Sequence, residues 1–106
     1  MTPQDLTAIQ DLVDLALQES ARELTADERS HGWTDDGRWV VHQDLLELRG
    51  LIASVPPGMS GSLRPRQYAR MLADDLGVSP RTVDPLKEAL YRVDSEINKH
   101  WDKAQR

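Results

Sequence analysis

The chain contains no cysteine and no phenylalanine. Without cysteine it can form neither disulfides nor thiolate zinc sites, and its composition suits a reducing, cytoplasmic setting. Without phenylalanine, three Trp and two Tyr carry all the aromatic packing. No apolar run exceeds a few residues, so no segment has membrane-spanning length. The opening MTPQDLTAIQ has neither the basic start nor the apolar stretch of a signal peptide. Lysine is scarce as well, at three against ten Arg, a ratio that suits a GC-rich bacterial or phage genome.

What remains is an ordinary globular balance. A chain of 106 residues, 39% hydrophobic and 29% charged, is the size of one domain. Folding at that length buries roughly two-thirds of the chain's surface, enough for one modest core. Charge is uneven. Residues 1–50 hold eleven acids and four bases, net −7, and residues 51–106 hold seven acids and nine bases, net +2. Either the two halves present surfaces with different tasks, or the acidic faces serve only solubility. A net charge of −5 is a poor basis for non-specific DNA binding, which rests on phosphate neutralisation.

The pattern along the chain is helical. Thr2 can cap a first helix with Pro3 as its first residue, and Leu6, Ile9, Val13 and Ala16 recur at helical spacing to about Leu24. TADE at 25–28 repeats the capping-box pattern. Asp36-Gly37 between Trp33 and Trp39 fits either a short β-hairpin at 32–41 or a loop leading into a helix near Arg38. Val41, Leu45, Leu48, Ile52 and Val55 then keep one face. PPGMSGS at 56–62 reads as a mobile connector. A third helix is expected from about Pro65 to Leu76, ended by Gly77. A last helix carries Leu86, Leu90, Val93, Ile97 and Trp101, a spacing close to a coiled-coil seam that either packs inside the chain or joins a homodimer.

LRPRQYARMLADDLGVSPRTV, residues 63 to 83, resembles the helix-turn-helix of bacterial and phage DNA-binding regulators. Ala73 is small where two helices cross, Gly77 supplies the positive φ of the turn, and Val78 follows as the core plug. Ser79 can cap a second helix that Pro80 begins, with Val83 and Leu86 facing inward. The resemblance covers about a fifth of the chain. It implies that Ser79 and Arg81 stand at the front of a recognition helix, with Arg81 able to grip guanine. It implies phosphate contacts from Thr82 and from Arg64, Arg66 and Arg70. The departure from the family lies at Asp84-Pro85. A proline in the sixth position of such a helix would cost about 3 kcal/mol, whereas Asp84 as cap and Pro85 as first residue of the long helix cost little. Asp84 would also set a negative charge beside any phosphate.

Chemistry is thin elsewhere. His31, His42 and His100 are far apart and lack metal-ligand spacing. Asp35-Asp36 lacks the ligand series of a calcium loop, and no serine sits in a nucleophile elbow. The expectation is therefore one all-α domain over residues 1–106, a small bundle of about four helices. Its parts are an acidic helical half at 1–55, the connector at 56–62 and a helix-turn-helix-like half at 63–106. No enzyme activity, cofactor or metal is expected. The leading function is a small DNA-binding regulator of bacterial or phage origin using Arg64, Arg66, Arg70, Ser79, Arg81 and Thr82; the rival is a protein-binding adaptor or inhibitor using the acidic first half or exposed Trp33 and Trp39.

Overall fold

In a computed structural model, residues 3–56, 63–81 and 83–105 are described. They form five helices and no strand. The helices are α1 (Pro3–Ala21), α2 (Ala26–Ser30), α3 (Asp35–Ser54), α4 (Tyr68–Arg70) and α5 (Pro85–Gln105), with α4 widening into a π turn at Met71–Asp75. The cap expected at Thr2 and all but Pro56 of the connector lie outside the described residues.

Three long amphipathic helices build the core. Ile9, Val13, Ala16 and Leu17 of α1 are buried, as are Val41, Leu45, Leu48 and Ile52 of α3 and Leu86, Leu90, Val93 and Ile97 of α5. Each set recurs every three or four residues, which puts it on one helix face. α1 packs against both α3 and α5. From Leu86 to Ile97 the α5 seam is therefore buried within its own chain.

Of the two readings of 32–41, the hairpin is not formed and the helix is, starting at Asp35. Thr34 caps α3, its hydroxyl accepting from the Gly37 N–H at 2.9 Å. Asp35 and Asp36 occupy the first helical turn, where the macrodipole favours acids. Gly37 is a buried helical residue, and a Cβ there would stand 3.1 Å from Thr34 Oγ1. A cap and a favourable dipole thus outweigh the Asp-Gly turn signal.

α2 begins with the expected capping box, Thr25 and Glu28 each bonding the other's backbone N–H. Glu28 is buried and also accepts from both Arg22 terminal nitrogens at 2.8 Å. The Arg22 guanidinium, with help from the Thr25 N–H, holds the Glu28 carboxyl down at about 2 against the opposing effect of burial. Arg38 reaches back from α3 to the carbonyls of Ser20, Ala21 and Arg22, so a cation closes the C-terminus of α1.

The hinge departs from the family pattern. Gly77 is left-handed at φ +69° and Val78 is buried, as expected. Ala73 is half-buried in the π turn. No helix starts at Ser79-Pro80, however. Residues 80 and 81 form a turn, Val83 is 80% exposed rather than inward-facing, and α5 starts at Pro85. Asp84 is the cap, its Oδ1 accepting from the Lys87 N–H at 2.7 Å. Its Oδ2 accepts from the Trp33 indole at 3.0 Å. The carboxylate is only 4% exposed, so it does not face an approaching phosphate.

Trp33 is likewise buried. Trp33→Phe keeps most of the ring volume and strands one oxygen of a buried carboxylate. Urea denaturation should show a loss of about 1–3 kcal/mol. Glu28 gives a pH test. Its folded pKa is depressed, so its contribution is complete above the ordinary value of 4.5 and is lost as pH falls toward about 2. Between pH 6 and pH 3 the wild-type chain should lose more stability than Glu28→Gln.

Candidate functional site

The arginines that the helix-turn-helix resemblance gathers for DNA have different surroundings. Arg66 lies against α3, its Nε 3.7 Å from Asp44 and its Nη2 3.6 Å from Glu47. Both nitrogens are buried at distances too long for hydrogen bonds. Arg64 is exposed, with its guanidinium 5.4 Å from the centroid of the half-buried Trp101 ring. Arg70 is exposed and pairs with Asp74 one turn on, at 3.5 Å. Arg81 is exposed in the turn, its backbone N–H 3.4 Å from Ser79 Oγ. Ser79 is half-buried, and its carbonyl accepts from the Lys87 ammonium. Thr82 lies outside the described residues.

Acids also hold the strap that leads into α4. Asp94 of α5 accepts from the backbone N–H groups of Arg66 and Tyr68 and so tethers a turn in which Gln67 is left-handed at φ +57°. Burial raises the Asp94 carboxyl above its ordinary value, against the lowering by these N–H groups. Tyr68 is fully buried and donates its hydroxyl to Asp44 at 2.7 Å. Burial, then the Asp44 carboxylate, push that phenol up, so it stays a donor. Arg66 therefore sits among Asp44, Glu47 and the Asp94-bound turn as part of an internal brace.

Lys87 is also drawn inward. It is 1% exposed, its ammonium 5.9 Å from the Tyr91 ring centroid. Burial lowers its pKa, and the Asp84 charge opposes the shift. Among the described residues no three His, Asp or Glu side chains come together as metal ligands. Among the described residues no helix is long and apolar enough to cross a membrane. His42 faces Ser20, with Nδ1 2.8 Å from the hydroxyl.

The two candidate tryptophans part company. Trp33 is in the core, so it presents nothing to a partner. Trp39 is 63% exposed on the outer side of α3, its ring stacked near His42 at 6.3 Å between centroids. Val40, Leu46 and Leu51 of the same helix are also exposed. Gly50 lies between them in the helix, exposed, and a Cβ there would meet no atom within 4 Å. A helix-interior glycine costs about 0.5–1 kcal/mol relative to alanine, and nothing in the surrounding chain requires this one.

The expectation from sequence named Trp39 but missed this face. Its signal was legible. Trp39, Gln43, Leu46, Gly50 and Ala53 are spaced four, three, four and three, a second seam opposite the buried one. The buried stripe dominates the apolar count and hides it. No family, curated protein or solved structure was found to match the chain.

Proposed function

We propose that the protein is a non-enzymatic protein-binding adaptor or inhibitor that docks through the outer face of α3 and keeps the helix-turn-helix-like hinge as scaffold. The observation that carries this reading is the exposure of Trp39 beside Val40, Leu46 and Leu51 on one long helix. Large apolar side chains gathered on one element mark interaction surfaces more often than scattered ones do. Tryptophan is also among the residues that dominate binding energies. The internal pairing of Arg66 and the burial of Asp84 support the same reading, because they take two groups out of any nucleic-acid surface.

The rival reading, a small DNA-binding regulator, draws on one observation. Arg81 stands exposed at the tip of the hinge, with Arg64 and Arg70 exposed on the same half of the chain. A pull-down from host lysate with and without nuclease separates the two. Capture should survive nuclease, be lost in Leu46→Glu and persist in Arg81→Ala. Capture that nuclease abolishes and Arg81→Ala weakens would replace the adaptor with the DNA reader. In that case affinity should also fall steeply with salt.

A further inference from the structure

The outer face of α3 is complementary to itself. Its seam residues pair about a point between Asp44 and Leu45, so that in an antiparallel arrangement position 39 meets position 50 and position 43 meets position 46. The largest side chain of the seam then stands opposite the position with none. Exposed Val40 and Leu51 flank the seam on one side. We propose that this face docks on a second copy of the chain. The two α3 helices run antiparallel, with Trp39 of each copy seated over Gly50 of the partner subunit. This inference rests on the reading of α3 as a docking face and names its occupant.

Four features carry it. First, Gly50 weakens an exposed helix, its φ is not left-handed, and an added Cβ would meet nothing within 4 Å. A close helix approach is the one use of a bare backbone that its own chain leaves open. Second, the seam from Trp39 to Ala53 carries no charge. The flanking charges are answered inside each copy, Glu47 by Arg66 at 3.6 Å and Arg49 by Asp14 at 3.4 Å. Two acidic chains can therefore meet here without facing unpaired like charges. Third, a face that matches itself generates a closed two-fold pair rather than a fibre. Fourth, the helix is long enough for the register: its 20 residues span about 30 Å. A single helix pair buries less than the roughly 1,200 Å² of standard interfaces, so the dimer forms in a concentration-dependent way.

Sedimentation equilibrium over a concentration series is the first test. The mass should rise from the 12.0 kDa monomer toward twice that value. Gly50→Gln suits an exposed helix position and fills the space for Trp39 of the partner subunit. It should weaken dimerisation at least tenfold while the monomer melts no lower than wild type. A wild-type chain that stays monomeric into the millimolar range overturns the proposal, and so does a Gly50→Gln chain that dimerises as well as wild type.

Orientation is the second test, made simple by the absence of native cysteine. Spin labels on Gln43→Cys should lie close together across the pair. Those on Asp36→Cys should be offset along the helix by about 25 Å. Short distances at both positions mean parallel packing and overturn the proposal. A monomeric chain that still captures a protein from nuclease-treated lysate in a Leu46-dependent way removes the second copy but leaves the docking face. Neither self-association nor Leu46-dependent capture removes both.

Discussion

The buried hydrogen bond between the Trp33 indole and Asp84 holds the two halves of this fold together. Asp84 divides its two oxygens, one capping α5 and the other receiving Trp33. An ionised carboxylate can remain buried only with such donors. Around this bond the loops at 31–33 and 77–79 press together. Ser79 donates its N–H to the His31 carbonyl at 2.8 Å, and a Cβ on Gly32 would come within 2.3 Å of the Gly77 carbonyl oxygen. The entry to α3 and the start of α5 are therefore set by one contact region. Asp84-Pro85, which breaks the helix-turn-helix pattern, is the same element that makes this region possible.

Acids do similar work elsewhere. Asp94 tethers the turn into α4, Asp44 receives the Tyr68 hydroxyl, and Glu28 binds Arg22. Asp94 and Asp44 organise backbone and aromatic donors from a distant segment, and Glu28 holds a guanidinium six positions back. The acidic character of the first half is thus partly internal architecture rather than a uniform field at the surface. The basic residues are divided in the same way. Arg22, Arg38 and Arg66 brace the fold, whereas Arg70 and Arg81 face solvent. A charge count along the chain cannot separate these roles, because the separation depends on which acid lies opposite.

α3 has two faces with different partners. Val41, Leu45, Leu48 and Ile52 meet the core. The opposite side carries Trp39, Leu46 and a glycine with open space around it. Seven-residue spacing on both sides of one helix gives a layer that is closed inward by its own chain and left open outward.

Local sequence determined the all-α class, the amphipathic helices, the capping box at Thr25 and the left-handed stop at Gly77, and it favoured Asp84-Pro85 over Pro80 as the start of the last helix. These are properties of a few consecutive residues: periodicity, side-chain capping, the lost proline N–H and the freedom of glycine. Tertiary structure decided the rest. The Asp36-Gly37 hairpin signal lost to the Thr34 cap and to the packing of α3. Trp33 went inward, where its indole N–H reaches Asp84, 51 positions along the chain, whereas the outward position of Trp39 follows from the spacing along α3. Arg66 was drawn to Asp44 and Glu47 because the strap before α4 crosses α3. Long-range choices of this kind depend on which donors and acceptors the folded chain brings within about 3 Å, and no spacing within the sequence encodes that distance.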